Sequence, residues 1–154
     1  MAASRKSKTA RAAISPPPGR PRFEADPESH RKEKPNWQVG TLDLEAPWTF
    51  KSLSEDDWWS DVFPKLKSFE TMSWQAILSQ TGGPTHGTNS HLVSVEKLMP
   101  EARRRLADLR LWEDLEELLS LRLTGKRRVW GILVGHTLKL LWYDPRHEVC
   151  PGLR

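Results

Sequence analysis

The chain has 154 residues, with 24 lysines and arginines against 20 aspartates and glutamates, for a net charge of +4. Its one cysteine, Cys150, excludes an internal disulfide and a zinc site built from cysteines, which fits a reducing compartment. No apolar run approaches the roughly 20 residues of a membrane-spanning helix, and the basic N-terminus lacks the apolar stretch of a secretory signal. We therefore expect a soluble, cytoplasmic protein.

Charge is unevenly distributed along the chain. Residues 1–35 hold nine basic and four acidic side chains, residues 36–119 hold eight and fourteen, and residues 120–154 hold seven and two. The first segment is rich in Ser, Ala, Pro, Lys and Arg, which predicts a disordered basic tail before a single domain over residues 36–154. Basic ends around an acidic middle suggest contact with a nucleic acid or another anion, although ordinary surface charge gives the same pattern.

The first half of the predicted domain reads as an arm followed by short helices. Alternation over residues 41–45 predicts a short strand or an extended arm. Ser54 is typical of a helix N-cap, and Pro64 then predicts a kink or two short helices. Ser73 predicts the start of a further helix that ends near Ser79.

The second half predicts a strand, a helix and three more strands. Residues 91–95 alternate and are β-branched, and Pro100 suits the first turn of a helix. Three apolar runs between residues 118 and 149 are separated by turn signals at residues 124–126 and 135–137. The order predicts an α+β fold, in which helices pack on a small antiparallel sheet.

The turns also predict a register. Two-residue loops at Gly125-Lys126 and Gly135-His136 would place Leu123, Arg128 and Tyr143 in one cross-strand row. Arg128 and Tyr143 would then be direct neighbours on one face. A slip of one residue would exchange the two faces, so the register is a hypothesis.

Residues near these strands suit RNA cleavage without a metal. That reaction needs a group to accept the 2′-hydroxyl proton, a group to protonate the leaving oxygen, and cations for the charged phosphorane. The proton-transfer candidates are Tyr143, Asp144 and His147. The candidates for charge stabilisation and RNA contact are Arg122, Lys126, Arg127, Arg128 and Arg146. Trp130 or Trp142 would stack on a base if exposed, whereas the ordinary alternative for all of these residues is surface charge, turn formation or packing.

Other chemistries have little support in the sequence. There is no glycine-rich phosphate loop and no serine nucleophile elbow. His86 and His91 lack nearby carboxylate ligands. We expect neither a metal nor a cofactor.

A family resemblance adds to this interpretation. The pattern LxLRLTGKRRVWGILVGHTLKLLWYDPRHEV resembles the C-terminal sheet of RelE/ParE-type toxins, including the HigB and YoeB branches, over about residues 91–149. Toxins of the RelE kind cut mRNA on the ribosome without a metal. The resemblance implies that Arg122 and Arg128 are the basic strand positions and that Tyr143 and His147 are the proton-transfer positions. The ending Trp-x-Asp-Pro-x-His is also similar to that of an uncharacterised bacterial protein group.

The sequence thus leads to three hypotheses. The first is a toxin-like, metal-independent RNA endonuclease that acts on RNA or the ribosome and has an antitoxin protein as its partner. The second is a non-catalytic module that binds nucleic acid or protein. The third is a ParE-like gyrase inhibitor.

Overall fold

The computed structural model describes residues 30–80, 89–111, 113 and 115–152. The strands are β1 (Asn36–Gln38), β2 (His91–Ser94), β3 (Glu117–Arg122), β4 (Arg128–Val134) and β5 (Thr137–Asp144). They form one sheet in the order β1-β5-β4-β3-β2. The pairing of β1 with β5 is parallel and the other three pairings are antiparallel. The predicted α+β class is confirmed, with a mixed sheet because the first strand is added in parallel.

The helical elements are α1 (Glu55–Asp57), a π-helical turn (Trp58–Val62), α2 (Phe63–Phe69), α3 (Trp74–Ser79) and α4 (Pro100–Asp108), with 3₁₀ turns at Phe50–Ser52 and Val95–Lys97. The Ser54 hydroxyl accepts from the Asp57 amide, and the Ser73 hydroxyl accepts from the Ala76 amide. Both predicted N-caps are therefore confirmed. The interruption predicted at Pro64 takes the form of the π-helical turn, which accommodates the missing proline N–H.

Residues 41–45, predicted as a short strand or an extended arm, form an extended arm along β5. The Thr41 hydroxyl donates to the Leu140 carbonyl at 2.8 Å, and the Tyr143 amide donates to the Trp48 carbonyl at 2.8 Å. Residues 1–29 of the predicted disordered tail lie outside the described residues. Its last residues contact the domain, since the Glu33 carbonyl accepts from the Trp74 amide at 3.0 Å.

The sheet has an apolar cluster on each face. We call one the α4 face, because Ala102 and Leu106 of α4 pack there against Trp130 and Trp142. We call the other the α2–α3 face, where helix residues such as Leu66 join residues of the strands. These helices cover the sheet on both sides, which explains why its strands are apolar on both faces.

The β4–β5 hairpin begins as predicted and then changes register. Val134 pairs with Thr137, so the two-residue turn Gly135-His136 is confirmed, and Gly135 has the positive φ of 60° that such turns favour. Farther along, Gly131 pairs with Leu140 while Trp130 pairs with Trp142. One extra residue of β5 is therefore accommodated as a β-bulge.

Gly131 lies at this bulge for a steric reason. A Cβ at this position would lie 2.6 Å from the Lys139 carbonyl oxygen and 2.7 Å from Leu138 Cδ1. Two neighbouring residues of β5, Leu141 and Trp142, point to the same α4 face. The bulge reverses the alternation of every residue beyond it, including Tyr143 and Asp144.

Candidate functional site

The register brings Arg122, Arg128 and Asp144 together in one cross-strand row. Arg122 pairs with Arg128 in the β3–β4 ladder, and Arg128 pairs with Asp144 in the β4–β5 ladder. Their side chains share the α4 face, because each lies two residues from a member of the neighbouring Ser120–Trp130–Trp142 row. Two arginines directly opposite each other concentrate positive potential at this end of the sheet.

The predicted pairing of Arg128 with Tyr143 is wrong. Val129 is the partner of Tyr143, whose side chain lies on the α2–α3 face. The bulge causes this, because it shifts β5 by one residue. A separate difference of one residue gives the β3–β4 loop three residues instead of two, since the Leu123 amide donates to the Arg127 carbonyl, so Arg122 takes the predicted place of Leu123 opposite Arg128.

Asp144 organises the loop that follows β5. Its side chain is fully buried and accepts hydrogen bonds from Trp130 Nε1 (3.2 Å), the Glu148 amide (2.9 Å) and the Val149 amide (3.0 Å). These bonds enclose His147, which has a positive φ of 58°. A non-glycine residue in this region is uncommon and is kept there by its surroundings. Asp144 therefore positions His147.

Arg128 is a buried cation with structural hydrogen bonds. Its side chain is 2% exposed, and Nη1 donates to the carbonyl oxygens of Gly125 (2.9 Å) and Arg127 (3.0 Å). Burial and the neighbouring charge of Arg122 lower the pKa of Arg128 to about 10, while Asp144 acts in the opposite direction. Arg128 is still protonated at neutral pH, so it contributes a fixed positive charge.

His147 is half-buried and lies close enough to Arg128 for the charge of Arg128 to affect its pKa. Burial, reinforced by Arg128, lowers the pKa of His147, and Asp144 offsets this only in part. His91 and Lys126 also act on His147, and both lower its pKa. The imidazole is therefore neutral at pH 7, the form that accepts a proton.

His91 is a member of this site that the sequence reasoning missed as a candidate. It starts β2 and pairs with Ser120, which in turn pairs with Trp130, so it lies on the α4 face. Nδ1 of His91 donates to the Asn89 carbonyl at 2.5 Å, which leaves Nε2 as the acceptor of the neutral ring. Its place in a strand of alternating residues was visible in the sequence, but its neighbours come from distant strands.

We name these residues the arginine–histidine cluster: His91, Arg122, Arg128, Asp144 and His147. Both oxygens of Asp144 already accept hydrogen bonds. The remaining members are two guanidinium groups and two imidazoles. This composition suits an anionic ligand such as a phosphate group.

The other predicted residues lie at or beyond the edge of this cluster. Lys126 and Arg146 are exposed near it in sequence, and Lys126 acts on His147. Arg127 forms ion pairs with Asp57 (3.0 Å) and Asp61 (3.2 Å) near the other face. These pairs neutralise Arg127 and remove it from the site.

Tyr143 is separated from the cluster by the sheet. It is 2% exposed, packs against Phe50 at 5.9 Å between ring centroids, and its hydroxyl has no hydrogen-bond partner among the described residues. Burial raises the pKa of Tyr143. Its surroundings are those of a core residue.

The tryptophans proposed to stack on bases are buried. Trp130 and Trp142 are both 0% exposed, and each indole N–H donates to a carboxylate, Asp144 and Asp43 respectively. Neither ring can contact RNA in this structure. The most exposed of the described tryptophans is Trp59, which packs against Trp58 and Phe63 on the π-helical turn.

No family model, curated protein or solved structure matches this chain. Among the described residues, no helix has both the length and the apolar character needed to cross a membrane.

Proposed function

We propose that the chain is a metal-independent RNA endonuclease that uses the arginine–histidine cluster. The observation that carries this proposal is the position of His147, whose pKa is lowered by burial and Arg128 and which also senses His91. Two imidazoles beside guanidinium groups provide the parts that phosphodiester cleavage at a 2′-hydroxyl needs.

In this mechanism His147 accepts the proton of the 2′-hydroxyl as its oxygen attacks the phosphorus. His91 acts as the general acid and donates a proton to the leaving 5′-oxygen, while the Asn89 carbonyl holds its Nδ1–H. The products are a 2′,3′-cyclic phosphate and a 5′-hydroxyl. Arg122 contacts the phosphate, and buried Arg128 adds a fixed positive charge nearby.

The exposed cations at the rim would extend the binding surface along the RNA backbone. Lys126 and Arg146 are exposed at the two loops that flank the cluster. Contacts of this kind depend strongly on salt because they release counterions. We expect them to set affinity rather than the rate of the chemical step.

The resemblance to RelE-type toxins motivates the biological part of the proposal. In that role the chain acts in the cytoplasm on ribosome-associated mRNA, and an antitoxin protein covers the cluster. An acidic segment of that partner would complement the two arginines.

One observation favours a second candidate, a non-catalytic module that binds nucleic acid or protein. Arg128, the central residue of the row, donates to the carbonyls of Gly125 and Arg127 and so shapes the β3–β4 loop. An arginine engaged in this way supports a binding surface without chemistry. Binding would then be salt-dependent and leave the RNA intact.

The test is cleavage of a mixed-sequence single-stranded RNA by the purified chain in the presence of EDTA. We expect fragments that end in 2′,3′-cyclic phosphate. The cleavage rate should fall at least a hundredfold in His147→Asn, as is common when general acid–base catalysis is lost. Arg104→Ala, which removes an exposed cation of α4, is the control for charge and should cleave normally.

The pH dependence provides a second readout. Because the base must be unprotonated, the rate falls as pH drops through the lowered pKa of His147, so the acidic limb lies below pH 6.5. RNA that is bound but stays intact with the wild-type chain would support the binding module instead.

A further inference from the structure

Three side chains that could bind a metal converge at the other end of the β4–β5 hairpin. They are His30, Glu33 and His136, and one ligand atom from each lies within 4.8 Å of the others. Arg128 and Val134 lie at opposite ends of β4, so this group is separated from the arginine–histidine cluster by about 20 Å of strand. It is independent of the proposed RNA chemistry.

The backbone of this group is anchored by hydrogen bonds. The His136 carbonyl accepts from the Asn36 amide (3.0 Å) and from Trp74 Nε1 (2.7 Å). The Glu33 carbonyl accepts from the Trp74 amide at 3.0 Å. Helix α3 therefore ties the segment before β1 to the hairpin turn, so two of the three side chains start from fixed positions.

His30 and Glu33 are brought to the same side by a tight turn. The Glu33 amide donates to the His30 carbonyl at 3.1 Å, and residues three apart in such a turn are neighbours. The His30 ring packs over Gly135, where an added Cβ would lie 3.6 Å from Nδ1. Nδ1 is buried and has no hydrogen-bond partner among the described residues, so it is a ring nitrogen without an assigned role.

His136 already has the contacts of an oriented ligand. Nδ1 lies 2.8 Å from Glu33 Oε2, and Nε2 lies 2.9 Å from Asn36 Nδ2. In the metal-free form Asn36 donates to Nε2 and Nδ1–H donates to Glu33. If a cation replaces the proton on Nδ1, Nε2 becomes the donor and the Asn36 amide turns to present its oxygen.

We propose that His30, Glu33 and His136 bind a divalent transition-metal ion such as Zn²⁺. Two imidazoles and a carboxylate suit borderline ions of this kind, and three protein ligands leave a position for water. Ligand atoms of a tetrahedral zinc site lie about 3.3 Å apart, so the 2.8 Å contact opens and the longer separations close by side-chain rotation. The bound ion joins the segment before β1 to the β4–β5 turn.

The charges around the group are mixed. Arg31, Lys32 and Lys34 are exposed beside it in sequence and oppose a cation through a solvent-screened repulsion. Glu33 is 49% exposed and His136 35% exposed, so the ion can reach both without unfolding. Protons compete with the ion for imidazole and carboxylate ligands, so binding weakens as pH falls.

The test uses the full chain without a polyhistidine tag, stripped with a chelator, and Zn²⁺ titrated by calorimetry. The proposal expects one Zn²⁺ per chain and a rise in the midpoint of thermal unfolding. His30→Asn, Glu33→Gln and His136→Asn should each weaken binding at least tenfold, and Asn36→Ala should weaken it about tenfold through lost orientation. Glu96→Gln, which removes an exposed carboxylate outside both groups, is the matched control and should bind normally.

Cobalt absorption gives a readout that does not depend on heat or stability. Co²⁺ bound by these residues should show visible bands that each ligand variant loses while its far-ultraviolet circular dichroism stays native. The proposal is overturned if wild type binds no stoichiometric Zn²⁺, or if all three ligand variants bind it as wild type does.

Discussion

The arginines on the two faces of the sheet have different surroundings at the end where β3, β4 and β5 meet. On the α2–α3 face, Arg127 is paired with Asp57 and Asp61. On the α4 face, Arg122 and Arg128 lie side by side, and the carboxylate in their row already accepts three hydrogen bonds. Strand register, more than the number of charges, therefore decides where positive potential accumulates.

The largest expected effect comes from removing the central carboxylate of each face. Asp144→Ala leaves buried Trp130 Nε1 and two backbone amides without their acceptor, which should lower the free energy of unfolding by about 3 kcal/mol or more. Asp61→Ala should cost only about 1 kcal/mol, because its partners Thr124 and Arg127 can reach water.

Urea unfolding of the two variants at pH 7 measures this difference. Equal losses of unfolding free energy in the two variants would show that the two carboxylates have equivalent roles. They would contradict the difference proposed between the faces.

The next effect concerns a second buried carboxylate on the α4 side. Burial alone would raise the pKa of Asp43, but hydrogen bonds from Arg105, Trp142 and the Glu45 amide lower it to about 2, from 3.8. The folded state therefore favours ionised Asp43. This stabilisation is present above pH 4, disappears as pH falls toward 2, and amounts to about 2 kcal/mol.

The free energy of unfolding should be compared between wild type and Asp43→Asn at pH 5 and at pH 2.5. The gap between the two proteins should shrink by about 1.5 kcal/mol at the lower pH. A gap of constant size would contradict the assignment of the lowered pKa to Asp43.

The smallest expected effect is at Tyr143. Its hydroxyl is buried without a partner among the described residues, so Tyr143→Phe removes a desolvated polar group. We expect a change in stability within about 1 kcal/mol, in the stabilising direction, and unchanged action on RNA. If a folded Tyr143→Phe chain lost RNA cleavage, the site would lie on the α2–α3 face, and its assignment to the α4 face would be wrong.

Local signals predicted most of the elements. The Ser54 and Ser73 caps, the helix at Pro100 and the Gly135-His136 turn each depend on a few adjacent residues, and all four are confirmed. These features depend on backbone geometry over one turn, which the sequence records directly.

The arrangement of the site depends on strand register, which is harder to predict from the sequence than a cap or a turn. A single extra residue at the bulge near Gly131 moved Tyr143 away from Arg128 and brought Asp144 into its place. The bulge follows from steric limits between β4 and β5 that involve residues eight positions apart. A period of two along a strand turns any such shift into a change of face.

Contacts distant in sequence were beyond prediction from patterns. Arg105 belongs to a run of three arginines typical of a solvated face, yet its Nε and Nη2 both contact the Asp43 carboxylate at 2.7 Å. His30 and His136 are likewise separated by more than a hundred residues. Only the folded chain brings such partners together.

The most direct test of the central claim is induced expression in bacteria, with growth followed and mRNA 5′ ends mapped. Wild type and Tyr143→Phe should both arrest growth and create new mRNA ends, whereas His147→Asn and Arg122→Ala should do neither while remaining folded and soluble. Intact mRNA and normal growth with soluble wild-type protein, in a strain without an antitoxin for it, would contradict the proposed RNA cleavage.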